Sequence, residues 1–486
     1  MLFNSVSYLA FLLIAVAGFW ALPPRWRQPL LLTASILFYA LWRIEFVFLV
    51  AFSAFVDFFL SLKIHASEEP KRRLAYVLLS LSINLGLLAY FKYTYFILGN
   101  VAVVTGLSRA TLFAAVGNIT LPLGISFYTF LSISYTLDVY RREFTPIRSF
   151  GLYLTYVMFW PHMVAGPILR AHELIPQLTN PSSRLSADDL GSGLRAILFG
   201  LFLKVALADQ LAPLIDDAFT MAPARLSALD VLTMAFAFGL QIYFDFAGYS
   251  MIAIGSARLV GVRFPDNFNW PYLASSPREF WRRWHITLSS WIRDYLYLPL
   301  SGLRDHSHST GGIDIQFVKS RNTPQVVVAL FLTWFLMGLW HGASWNFAFW
   351  GLWHAGFIFA YRLTSPYLRV LPLAVRSVLG WGVTLLVVML GWIFFRAPTL
   401  ETALSLYGRL LHPGSYLYLS FRENFYLMVA IAMTAMLILR WLTVTHLVGG
   451  ARSPARTLGE VAGIAVATFI VFIFLRPIGQ FIYFQF

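Results

Sequence analysis

Apolar runs long enough to cross a bilayer as helix, about 20 residues each, recur from one end of this chain to the other. They lie near 5–21, 29–42, 45–62, 74–97, 119–138, 149–168, 191–211, 228–256, 325–341, 345–361, 377–396, 425–443 and 457–476. Several are short or abut, so the expectation is an all-α polytopic membrane protein with about eleven to thirteen transmembrane or re-entrant helices. Composition agrees: 12% of the residues are charged, about half the share in a soluble domain, and the mean hydropathy is +0.69. One half of the chain does not repeat in the other, which weakens an inverted-repeat transporter reading. The opening "MLFNSVSYLAFLLIAVAGFWALPP" has no basic start and no small-residue cleavage site before Pro23 and Pro24. It reads as a first span rather than a cleavable signal.

The net charge is +14 and cysteine is absent. Disulfides, thiolate catalysis and cysteine-ligated metals are therefore excluded. In so apolar a chain the basic excess reports cytoplasmic loops rather than nucleic acid. Arg25 and Arg27 follow the first span, and Lys63, Lys71, Arg72 and Arg73 follow the third. Two crossings separate these loops, so they share a side, and two more bring Arg141 and Arg142 to it. That side is expected to be cytoplasmic, with the N-terminus outside.

The stretch "SSPREFWRRWHITLSSWIRDYLYLPL", Ser275 to Leu300, is helical in pattern but poorly suited to span. Ser276, Pro277 and Glu279 read as a capping box with proline at the first helical position, and Pro299 as the stop. Each of its charges, among them Arg278, Arg282, Arg283, Arg293 and Asp294, would cost about 2.5–3.5 kcal/mol at a bilayer centre. A helix from Pro277 to about Leu298, lying at the interface or re-entering among other helices, fits better. At 100° per residue His285 shares a face with Trp281, Leu288, Ile292 and Leu296. A buried, hydrogen-bonded core histidine and a reactive one both suit this pattern. Lipid phosphate is one ligand for Arg282 and Arg283.

A second break falls in "PQVVVALFLTWFLMGLWHGASWNFAFWGLWHAGF". An arm from Pro324 ends at His341, Gly342 is placed to stop it, and Ser344 to cap the arm beginning at about Trp345. Non-helical backbone at membrane depth is tolerated only inside protein or beside a water-filled cavity, and an ionisable group there is a functional hypothesis by default. The bland alternative is a histidine that ties the hairpin together. A helix C-terminus favours imidazolium while a general base must be neutral, so burial has to prevail. Elsewhere, Asp245 in "QIYFDFAGYS" is either a buried partner for an arginine or histidine, or part of a reaction cavity. His162 in "FWPHMVAGPILR" precedes a helix break expected at Gly166-Pro167, with Arg170 beyond. His341 and His354 lack carboxylates at ligand spacing, and His306 and His308 sit in the polar loop "RDHSHSTGG", so no metal site is assigned.

Taken together, "MLFNSVSYLAF", "LLLTASILFYALWR", "LPLGISFYTFLSISYTLDVYRRE", "FWPHMVAGPILR", "QIYFDFAGYS", "FWRRWHITLSSWIRDYLYLPL", "GLWHGASWNFAFWG" and the terminal "FIYFQF" resemble, nearly end to end, the membrane-bound O-acyltransferase (MBOAT) family and its bacterial alginate-O-acetylation, AlgI-like branch. The resemblance implies one integral membrane domain over 1–486, with a motif-bearing core at about 119–362 and helices arranged around a central tunnel. It implies His341 of "WHG" as the catalytic histidine, His285 of "WHIT" as the assisting one, and His162 as a further functional position. Trp340, Gly342 and Asn346 beside His341 join Asp245 as possible functional residues. Two departures bear on the acceptor or partner more than on the chemistry. Met251 stands where the branch has aspartate after "GYS", and "SGLRDHSHSTGG" replaces a short Gly-Gly-Asn-Arg loop.

The implied reaction moves acetyl from cytoplasmic acetyl-CoA, a substrate rather than a resident cofactor, across the bacterial inner membrane. His341 would be the general base, and Arg282 and Arg283 the ligands of the donor's phosphates. A periplasmic acetyltransferase partner would pass the group to a polysaccharide such as alginate. Peptidoglycan, cellulose and D-alanyl transfer to teichoic acid are alternative outcomes. A transporter or flippase without acyl-transfer chemistry is the competing class, and the histidines at helix breaks argue against it.

Overall fold

The computed structural model describes residues 2–164, 166–302, 323–448 and 454–475. Among them the ordered elements are helices, and no strand occurs. Seven are long and apolar enough to cross a membrane: Glu45–Ala66, Pro70–Thr105, Ala187–Thr220, Ala228–Leu259, Pro324–His341, Leu373–Arg396 and Glu423–Thr443. Val6–Ala21 and Val461–Phe474 are shorter apolar helices. The chain is a multi-pass membrane protein. His306, His308 and the terminal "FIYFQF" lie outside the described residues.

Contacts divide the chain into two compact units, Met1–Ile197 with Ser250–Pro265, and Leu198–Tyr249 with Asp266–Phe486. In the first, Ser5 caps Val6–Ala21 by accepting from the Tyr8 amide, and Pro24 opens Pro24–Ala40 at the first helical position, where its missing N–H costs nothing. Glu45–Ala66, Pro70–Leu88 and Ile125–Tyr140 enclose a polar core. Asp57 accepts from Ser80 Oγ at 2.6 Å and from Asn84 Nδ2 at 2.9 Å, and Ser53 Oγ donates to Asn84 Oδ1. Such a network meets the hydrogen-bonding demand that lipid cannot. The Arg142–Glu68 ion pair (3.0 Å) brings the loops after Ala66 and Tyr140 to one end of this unit, as the count of crossings requires. Arg27, counted among the loop charges, is instead buried, and its Nη1 donates to Ser182 O.

In the second unit, Ala228–Leu259 contributes its residues up to Tyr249. A π-helical turn, Phe202–Ala208, turns Lys204 toward Asp245 at 2.6 Å and Asp209 at 2.8 Å. Pro324–His341 and Trp345–Thr364 then form a tight hairpin, against whose second arm Leu373–Arg396 packs. The hairpin is close because two glycines face backbone. A Cβ on Gly338 would lie 2.1 Å from Phe347 O, and one on Gly351 would lie 2.0 Å from Trp334 O.

Candidate active site

The amphipathic helix expected from Pro277 to Leu298 is two helices. Pro277–Arg283 and Ile286–Ile292 are separated at Trp284 and His285, and His285 has left-handed backbone, φ 40° and ψ 57°. A non-glycine residue there carries about 1–2 kcal/mol of strain, so the projection of His285 onto a face with Trp281, Leu288 and Leu296 does not hold. Neither glycine nor proline marks the break. It is made by the segment 267–269, where Asn269 N donates to Arg283 O and Ile286 N to Asn267 O, both at 2.9 Å. The N-terminal cap is close to expectation. Ser276 Oγ accepts from Glu279 N at 3.2 Å, but the Glu279 carboxylate reaches back to Ser275 N and Oγ instead of Ser276. Pro299 does not stop the segment either; a π turn, Arg293–Tyr297, leads into Leu298–Ser301, which ends at Gly302 with φ 69°.

His285 is buried, with its Nδ1 3.0 Å from Asn267 Oδ1. The edges and faces of Phe246 and Phe268 pack on its ring. Burial pushes its imidazole well below the ordinary histidine range, so the ring is neutral at physiological pH. Arg282 and Arg283 are half-buried one turn away, and Arg283 Nη2 pairs with Glu279 Oε1 at 2.5 Å.

His341 ends the first hairpin arm, buried among Trp340, Trp350 and Phe395 with ring centroids 4.8, 5.0 and 5.4 Å away. Gly342 ends the helix in extended rather than left-handed backbone (φ −156°, ψ 144°), because the chain must run straight into the second arm. What demands glycine is space: a Cβ would meet Phe347 Cε2 at 2.1 Å. Ser344 occupies the cap position of the second arm, but its side chain makes no cap hydrogen bond. Asn346 Nδ2 donates to Ala397 O at 2.7 Å and ties the hairpin to the end of Leu373–Arg396.

Within the second unit, rings in contact run from His285 through Phe268, Trp284, Trp392 and Trp350 to His341. The two buried histidines thus share one aromatic wall. His354, one turn beyond Trp350, is fully buried against Trp281, Trp334 and Trp350. Asp245 points elsewhere. It pairs with Lys204, neither arginine nor histidine, while its neighbour Phe246 faces His285. His162 belongs to the first unit, in the short helix Trp160–Met163, where it stacks on Phe264. That span breaks first at Phe159, ahead of Pro161, and Gly166-Pro167 then lies, as expected, in non-helical chain between Trp160–Met163 and Ala171–Thr179.

Pattern reading overlooked two of these residues. Lys204 was visible as a lone cation in an apolar run with Asp209 five residues on. Asn267 carried no such signal, because its partners lie about eighteen residues away in sequence.

A profile described as "MBOAT, membrane-bound O-acyltransferase family" matches residues 29–313. The chain is 38% identical over 419 residues to "Probable alginate O-acetylase AlgI" of Azotobacter vinelandii, covering 86% of this chain and 79% of that one. It is 33% identical to "Peptidoglycan O-acetyltransferase" of Helicobacter pylori, over 83% of this chain and 78% of that protein. It is 30% identical to "Teichoic acid D-alanyltransferase" of Streptococcus thermophilus, over 48% of this chain and 54% of the relative. The chain belongs to the membrane-bound O-acyltransferase family, and its activity is O-acyl transfer.

Proposed function

We propose that the protein takes acetyl from cytoplasmic acetyl-CoA and delivers it across the bacterial inner membrane, through a periplasmic acetyltransferase partner, to an extracellular polysaccharide. Alginate is the first choice of acceptor, since the relative of highest identity given above carries that substrate in its name, and peptidoglycan is the second. The observation that carries the chemistry is the setting of His341, buried at a helix end between two arms and faced by three aromatic rings. An imidazole held there, out of contact with bulk water, is placed to act as a general base. It removes the proton of an acceptor hydroxyl, the oxygen attacks the thioester carbonyl, the C–O bond forms as the C–S bond breaks, and the proton passes to the departing CoA thiolate. His285 orients the reactants or relays that proton.

Arg282 and Arg283 are the proposed ligands of the CoA phosphates, by charge-assisted hydrogen bonds; Arg283 exchanges its Glu279 partner for phosphate. The basic loops at 63–73 and 141–142 face the cytoplasm and the N-terminus faces outward. Trp340 and Gly342 shape a narrow neck in the tunnel beside the base, Asn346 ties the hairpin that carries it to the end of Leu373–Arg396, and Asp245 holds Ala228–Leu259 to the turn that carries Lys204. His162 is a further functional position of the first unit.

The test is acetyl-CoA turnover by purified protein in proteoliposomes. Wild type releases free CoA, and His341→Ala, equally well inserted, loses the activity by a factor on the order of 10²–10⁴. A transporter releases no CoA, and a fully active His341→Ala protein refutes the mechanism.

A further inference from the structure

The hydrogen bonds around Asn267 decide which nitrogen of His285 can take a proton. One atom of the Asn267 side chain meets three neighbours: His285 Nδ1 at 3.0 Å, Thr287 Oγ1 at 2.9 Å and the Thr287 backbone N at 3.4 Å. A backbone N–H can only donate, so the Asn267 atom that faces it is the carbonyl oxygen. The same oxygen can only accept from His285, so Nδ1 carries the hydrogen. A neutral imidazole protonated on Nδ1 has its lone pair on Nε2. That Nε2 is buried and has no hydrogen-bond partner among the described residues.

The backbone supports the same assignment. Ile286 N donates to Asn267 O and Asn269 N to Arg283 O, so the segment 267–269 is clamped to both sides of the left-handed turn at His285. Pro265 and Pro271 bracket it in sequence. Strain of this kind persists where the surroundings over-determine it, and it concentrates at functional positions. A histidine needed only for packing would not require a left-handed backbone, a dedicated amide oxygen and an unengaged nitrogen together.

We propose that Asn267 is a positioning residue of the acyl-transfer site, holding His285 as the Nδ1–H tautomer so that Nε2 is its proton acceptor. This rests on the reading of His285 as part of that site. Asn267→Asp keeps an acceptor oxygen in the same place and Asn267→Leu removes it.

Two readouts test the proposal, both on full-length protein in lipid nanodiscs. The first is nitrogen-15 NMR of histidine-labelled protein, with the His285 signals identified by their loss in His285→Gln. The second is acyl transfer from acetyl-CoA. The expected result is a directly protonated Nδ1 and a bare Nε2 in wild type and Asn267→Asp, with transfer retained to within about tenfold in the latter. In Asn267→Leu both tautomers appear, and kcat falls on the order of 10²-fold or more, the range general acid–base catalysis contributes, with the donor KM unchanged. A wild-type His285 protonated on Nε2, while His285→Gln is inactive, overturns the Asn267 assignment alone. So does an Asn267→Asp protein that is folded and as inactive as Asn267→Leu. Wild-type turnover by His285→Gln overturns the catalytic reading of His285 itself, and this proposal with it.

Discussion

Gly351→Ala adds one methyl group to a helix and should nevertheless cost most of the activity. The Cβ it introduces would lie 2.0 Å from Trp334 O and 2.8 Å from Trp334 C, on the facing arm of the hairpin. Real Cβ atoms keep at least 3.0 Å from such neighbours, so the arms must part by about 1 Å, since backbone cannot swing aside as a side chain can. His341 ends the arm that has to move. Overpacking of this kind costs about 1–3 kcal/mol, partly offset by the ~0.5–1 kcal/mol that alanine gains over glycine in a helix. The fold therefore survives. Catalysis is more sensitive, because a displacement of about 1 Å can cost roughly 10²-fold in rate. Initial rates of acetyl transfer in proteoliposomes, beside a thermal melt in detergent, should show kcat down by about that factor, with the protein still folded and its melting temperature lowered by at most about a few degrees. Gly356→Ala is the matched control: it lies on the same helix, and an added Cβ there meets nothing within 4 Å. Its rate should equal wild type. A Gly351→Ala protein with wild-type kcat would show that this crossing does not set the position of His341.

Gly342→Leu should abolish transfer while acetyl-CoA binding persists, because the side chain must displace the Phe347 ring 2.1 Å from its Cβ; binding and transfer assays on one preparation check this, and retained transfer refutes a neck at Gly342. Lys204→Met leaves the buried Asp245 carboxylate without its lysine and should destabilise the protein by about 3–5 kcal/mol. Denaturation in detergent measures it, an unchanged midpoint contradicts it, and adding Asp245→Asn should restore part of the loss.

The parts of this fold legible in sequence are those decided within one turn or one span of helix. Pro324–His341 and Leu373–Arg396 announce themselves because twenty apolar residues in lipid have few options but helix. Ser276 and Glu279 act within four residues of the end they cap, and the break at His341 is written in Gly342. What escaped reading is what distant residues impose. Nothing in "WRRWHITL" interrupts a helix, yet the chain breaks there because Asn267 and Asn269, from another segment, take the hydrogen bonds that continuation would need. Glycine at 342 was legible as the stop of the first arm, though not the neighbour that excludes a side chain there, the ring of Phe347 on the second arm. Asp245 was legible as buried and in need of a partner, though not as the partner of a lysine turned toward it by a π-helical turn. The chemistry follows the same division. Residue type singles out His285, and residue type with a local break singles out His341, whereas the tautomer and orientation of a buried imidazole come from contacts that only the folded chain assembles.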